Sequence, residues 1–332
     1  MRARTGLVTV SVLAVAVGAV SVSGPLIAFA AAPAFAIAFW RNAMAVGLLG
    51  PLAVARRREE LATLALRRRS DAAFSALAGV ALTVHFVCWV PSVKLTTVAT
   101  ATALVATQPV WQGIISSAQG RRLPALSWVG IAVAVAGAVA ATGADLSVSA
   151  TAVGGDLLAM AGGIAAAVYT ALGERARVNT STTTYTFVCY SVCAGITLLV
   201  CLVVGIPLGG YPGTAWLALV GLTVGPQLLG HSLFNFALRR VAATTISVVV
   251  LLEVPGAAFV GWWWLGQTVR PSAWPGLILL LAGVVIVVLA GRRARDRAIR
   301  LVEEPEAGVI APEPPSGDAA TARASAPQPD LT

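Results

Sequence analysis

The chain has 332 residues, of which 58% are hydrophobic and 11% charged, with a mean hydropathy of +0.84 and a formal charge of +9. Soluble domains carry roughly a quarter charged residues, so a water-soluble globular fold is excluded and a chain that lives in lipid is expected. The four cysteines (Cys88, Cys189, Cys193, Cys201) all fall in apolar segments and form no C-x-x-C pair, and the only two histidines stand 146 positions apart. No metal site, disulfide framework or cofactor is therefore expected, and small apolar packing explains the cysteines.

Ten segments are long and apolar enough to cross about 30 Å of hydrocarbon: 6–28, 34–54, 72–92, 97–118, 125–142, 156–174, 184–205, 214–237, 243–264 and 274–291. Lipid offers no partner to a backbone amide, so each is read as a helix. The first follows Arg2 and Arg4 and ends near Ala28-Phe29-Ala30, which imitates a cleavable signal peptide. Its length favours retention as a crossing. In the second, Arg41 lies near enough to the outer end to snorkel, and a structural or interfacial role is expected ahead of an anion-attracting one. The fourth carries Thr100, Gln108, Gln112 and Ser116 on one face. Asp156 and Glu174 mark the two ends of the sixth. In the eighth, Thr223, Gln227, His231 and Asn235 recur every four residues along one slowly drifting face. The ninth holds Glu253 near the midplane, two residues before Pro255, and closes on Trp262, Trp263 and Trp264, an aromatic belt. After Gly291 a basic cluster (Arg292, Arg293, Arg295, Arg297, Arg300) leads into a Pro/Ala/Glu/Ser-rich tail, so 292–332 is read as a disordered cytosolic tail anchored at the inner leaflet.

Charge sets the orientation. With the N-terminus inside, the inner loops and the tail collect 20 of the 23 Lys and Arg, and only Lys94 and Arg270 lie outside. That bias places both termini in the cytosol of a multi-pass cell-membrane protein. It also accounts for the +9 charge through anionic lipids, with no nucleic-acid partner required.

Sliding the chain against itself by 146 positions brings about 60 residues into gapless register. His85 then meets His231, Lys94 meets Arg240, Thr107 meets Glu253, Pro109 meets Pro255, Trp128 meets Trp274, Gly130 meets Gly276 and Gly137 meets Gly283. The inner-loop Arg121 and Arg122 become Gln267 and Thr268, which face out. A unit with an odd number of crossings must insert its second copy upside down, an arrangement common in secondary transporters. The fold class is therefore all-α integral membrane, ten transmembrane helices as two inverted five-helix repeats, 6–143 and 154–291, joined by a short polar outer linker.

The stretch His85-Phe86-Val87-Cys88-Trp89-Val90-Pro91 through Thr107-Gln108-Pro109-Val110-Trp111 resembles the third-to-fourth-helix region of EamA-type members of the drug/metabolite transporter superfamily. Leu251-Leu252-Glu253-Val254-Pro255-Gly256 and Leu265-Gly266-Gln267 resemble the matching region of the second EamA unit. The first helix departs from the family pattern, with Val17-Gly18-Ala19 where a Trp-Gly pair is common, and Gln267 stands where an acid is often found. The resemblance implies two inverted units around a central cavity, and export as the direction of transport.

Intramembrane polar residues are costly and tend to face a cavity or another helix. His85, Trp89, Gln108, Gln112, Gln227, His231, Asn235 and Glu253 are accordingly the expected lining of a substrate path, with Pro109 and Pro255 as helix hinges. Gly256 and Ala257 are expected to leave room beside the Glu253 carboxylate. No nucleophile, metal cluster or Walker-type loop is visible, so an enzyme or a direct ATP-driven pump is not expected. The function that follows is a secondary transporter of a small metabolite or amino-acid-like compound, open to proton coupling, with membrane lipids as its other partners. A lipid or polyprenyl-phosphate-linked translocator is the alternative.

Overall fold

The computed structural model describes residues 2–95, 98–142, 150–265 and 271–303, and every regular element among them is helical. Asp145 in the expected outer linker, Gln267, Thr268 and Arg270, and the tail from 304 lie outside the described residues. Among the described residues eight helices are long and apolar enough to cross a membrane, and a shorter apolar helix covers Ala125–Ala141. The remaining expected crossing, 97–118, is two short helices.

In chain order the elements are α1 (Arg2–Ser21), α2 (Ser23–Phe29), α3 (Ala34–Leu66), α4 (Arg69–Leu95), α5 (Val98–Val105), α6 (Gln108–Ala118), α7 (Ala125–Thr142), α8 (Ala150–Ala176) and α9 (Thr182–Val204). Then come α10 (Gly213–Leu222), a π-helical stretch (Thr223–His231), α11 (Ser232–Ala237), α12 (Ala243–Val250), α13 (Glu253–Leu265) and α14 (Trp274–Glu303). Residues 1–292 form one compact unit.

The two interruptions fall at positions that match in the repeat. Pro109 has no N–H for the Val105 carbonyl and Pro255 has none for that of Leu251, so each helix loses a rung one turn before its proline. The chain tightens there: Thr107 N–H bonds the Leu104 carbonyl (3.2 Å), and Leu251 and Leu252 bond those of Val248 and Val249 (3.1 and 3.0 Å). The result is α5 and α6 in place of one helix, and α12 and α13 in place of another. Thr107 caps α6, and its repeat partner Glu253 opens α13.

Helix α3 runs on to Leu66, beyond the expected end at 54. Its extension is polar, so hydropathy alone ended the segment too early. Arg57 breaks the helical geometry (φ −130°, ψ 17°), and the turn beyond it brings the Glu60 carboxylate to the Ser181 N–H (2.6 Å) at the start of α9.

The main core joins α3, α4, α8, α9 and α10 around Leu82, Phe86, Val90, Tyr185, Tyr190 and Leu222. A second cluster joins α7, α12 and α14 through Ile131, Ala134, Val248, Leu251, Leu280 and Val284. Here α7 and α14, which correspond in the repeat, cross antiparallel. A Cβ added to Gly137 would fall on the backbone at Leu280 and Gly276, and one added to Gly276 would fall on Ala141. Gly283 meets Ala134 in the same way, and Gly130 meets Gly283 and Val287. Glycines spaced by seven on both helices thus let the two backbones touch.

Candidate functional site

A cavity of about 90 Å³ lies among α4, α5, α6, α8, α11, α12 and α13. Six residues singled out from the sequence stand on its wall: His85, Trp89, Gln108, His231, Asn235 and Glu253. Val20, Ser23, Thr102, Tyr169, Thr170 and Leu251 also line it. The breaks in both interrupted helices reach this wall, through Ala106 and Gln108 on one and Leu251 and Glu253 on the other.

His85 and His231 correspond in the repeat and meet here, ring centroids 6.3 Å apart. The His85 Nδ1–H donates to the Gly162 carbonyl (2.9 Å), which fixes the tautomer and leaves Nε2 as the open nitrogen of the neutral ring. His231 sits edge-on to Phe86 (5.6 Å) and close to Tyr169 (5.9 Å). Asn235 donates its amide to the Tyr169 hydroxyl (2.6 Å), and Gln108 donates to Thr170 (3.2 Å). Glu253 makes no hydrogen bond or ion pair with another described residue, and its carboxylate opens the first turn of α13, where the helix dipole favours a negative charge.

Two of the named residues are off the wall. Gln227 is fully buried, accepting from Arg41 Nε (2.9 Å) and donating to Asn42 Oδ1 (3.0 Å). Gln112 is fully buried, and neither of its amide atoms is paired among the described residues. Pro109 and Pro255 stand beside the two breaks.

Two expectations are corrected. Arg41 does not snorkel: it is 1% exposed, turned into the bundle, with its guanidinium carbon 4.1 Å from the centre of the Phe86 ring. Gly256 does not make space for a ligand, because Ser21 of α1 sits directly on it.

Sequence reasoning missed two further features. Tyr169 and Thr170 on α8 line the cavity as fully as the named stripes, and the only signal was two adjacent polar residues in a run of Gly and Ala. The π-helical turn was signalled by Gly225-Pro226 inside the eighth segment: Ser232 N–H skips back five residues to the Gln227 carbonyl. Such turns are frequent at functional sites.

Beyond the cavity, one carboxylate joins three elements. Glu174, at the end of α8, pairs with Arg121 after α6 (2.6 Å) and accepts the Ala243 N–H that opens α12 (3.0 Å). Nearby Arg177, also buried, donates from Nε to the Asn235 carbonyl (3.0 Å), from Nη1 to the Thr180 carbonyl and from Nη2 to the Thr182 hydroxyl (2.7 Å). Burial, reinforced by Arg239, pushes its guanidinium down to about 10, so it stays charged at neutral pH.

A helical bundle with several spans long enough for a membrane, two matched interrupted helices and a half-polar cavity between them defines a multi-pass membrane transporter. The EamA-like transporter family model matches residues 4–143 and again 153–289, and the chain belongs to that family, whose members are transporters rather than enzymes. A crystal structure of a protein superposes with a TM-score of 0.71 at 18% identity, over 86% of this chain and 98% of that one, a likeness of fold. No curated protein matches the chain.

Proposed function

We propose that the protein is a secondary carrier of the cytoplasmic membrane that exports a small metabolite or amino-acid-like compound by alternating access. In this reading ten crossings form two inverted units, 6–143 and 154–291, with both termini in the cytosol, and Glu253 couples flux to the proton gradient. The observation that supports it most is the convergence of the two interrupted helices on one cavity, with a carboxylate that has no hydrogen-bond or salt-bridge partner among the described residues at the start of one outer half-helix. Helix interruptions at mid-membrane supply the free backbone groups and hinges by which inverted-repeat carriers hold cargo. A carboxyl group that makes no fixed hydrogen bond is free to take up and release a proton. The direction of transport follows the family resemblance.

The test is Glu253→Gln, with folded yield and transport measured together in proteoliposomes. The amide should insert and fold as the parent does, lose gradient-driven flux, and keep counterflow exchange because its shape is nearly unchanged. Undiminished gradient-driven flux would remove Glu253 from the mechanism, and loss of folded protein would make it a structural residue.

A further inference from the structure

Arg41 is a cation held without its anion. Helix α3 carries it into the bundle, and three contacts fix the guanidinium there. Its Nε donates to Gln227 Oε1 at 2.9 Å, Gln227 is itself held by Asn42 at 3.0 Å, and the Phe86 ring lies 4.1 Å from the guanidinium carbon. These contacts use the Nε edge and one face of the group. The two Nη atoms are buried and have no acceptor among the described residues. Glu253 is near enough to feel the charge, yet no ion pair joins the two. A planar guanidinium gripped in this way presents its remaining edge, Nη1 and Nη2, as a parallel pair of donors, which a carboxylate takes in bidentate fashion.

The guanidinium lies one ring away from the cavity wall. Phe86, which carries Arg41, touches His231, and His231 is on the cavity wall. Gln227 and His231 both belong to the π-helical turn around Pro226. One irregular element therefore both orients the guanidinium and supplies a wall residue in contact with the ring beside it. A structural arginine would have its donors closed by oxygen acceptors, as Arg177 has with two carbonyls and a hydroxyl. Arg41 has one of its three nitrogens so engaged.

We propose that Arg41 is the carboxylate-recognition residue of the transport path, and that the cargo is a small molecule with a free carboxylate, which closes on Nη1 and Nη2 when the His231 and Phe86 side chains turn aside. This rests on the carrier reading above and specifies its cargo.

The experiment loads proteoliposomes of the full-length protein with a small-molecule extract of whole cells and identifies by mass spectrometry what leaves in a protein-dependent manner. Compounds released should carry a carboxylate, and the primary amide of a released acid, offered alone, should stay behind. Arg41→Lys keeps the charge but loses the paired donors, and should slow release of the acid by about 10- to 100-fold, as expected for a lost charge-assisted hydrogen bond. Gln227→Glu places a resident carboxylate beside the guanidinium and should slow it comparably. That variant decides the matter if Arg41→Lys does not elute as a folded, monodisperse species. Release of compounds that have no carboxylate, or release of the acid by folded variants at the parental rate, overturns the proposal while leaving the carrier reading intact. If nothing is released above protein-free vesicles, the carrier reading itself fails and takes this inference with it.

Discussion

The two buried arginines show what a sequence reveals of a residue and what it hides. Arg41 is seven residues from its helix end, about 10 Å of rise, so its depth was readable, but the face it occupies depends on how α3 is turned against α4 and the π-helical stretch. Arg177 was counted only as an inner-loop charge, yet it closes three hydrogen bonds that tie the α8–α9 turn to α11. Arg177→Ala should lower the stability of the detergent-solubilised protein by about 3 kcal/mol, since it strands two carbonyls and a hydroxyl together. Arg177→Lys should recover little of that, because one ammonium cannot meet three acceptors set around a planar fork. The folded value of about 10 lies below the ordinary 12.5, so the fold disfavours the charged form and gains only as pH rises past 10. Between pH 6 and 9 Arg177 is charged in both states, so its contribution is constant and it should add no slope to the unfolding midpoints measured across that range.

At the scale of the element, the prolines were legible because their effect is local and steric. The helices of Pro109 and Pro255 are interrupted within a turn of the proline, where an N–H is lost, whereas α3 and α4 continue through Pro51 and Pro91. The π-helical stretch was not, since Pro226 alone does not say whether a helix will kink, break or take up an extra residue. Nor was the close crossing of α7 and α14, although its glycines were already visible as matched positions: a repeat pairs Gly137 with Gly283 in sequence, while space pairs it with Gly276. That crossing makes a sharp prediction. Gly137→Ala and Gly283→Ala each push a methyl group into a facing backbone that has no side chain to move, and each should cost about 1–3 kcal/mol. Gly18→Ala on α1 has open space around it and should be neutral or slightly stabilising. Thermal unfolding of the three variants in one detergent separates the cases, and equal midpoints would show that the backbones do not touch. Pro255→Ala should restore the missing rung, raise stability slightly and depress flux, measured on the same proteoliposomes.

For the whole molecule, composition was enough to place the chain in lipid, and the self-match was enough to divide it in two. The family model matches the chain twice. The number of crossings is a separate matter, because eight spans meet the length and apolarity expected of a transmembrane helix and the interrupted pair α5 and α6 is built from helices too short to do so individually. Reporter fusions after Arg58, Asp145 and Arg300 should report inside, outside and inside. An outside signal after Arg300 would break the arrangement of five plus five.

The glycine crossing has a consequence for how such a chain comes to exist. Exchanging the two repeats turns the contact of Gly130 with Gly283 into that of Gly137 with Gly276, so the set of contacts maps onto itself. This is the self-complementary pattern of an isologous interface, the kind that joins two identical subunits about a two-fold axis. Residues 1–143 thus already carry both halves of the seam. Two separate copies of that unit would have to lie in opposite senses in the bilayer to use it, and the second would then hold Arg121 and Arg122 on the outer side, which the charge rule disfavours. The second unit has Gln267 and Thr268 at those positions. Joining the units in one chain lets each sense of insertion keep its own loop charges, and so commits the first half to a partner that is no longer its twin.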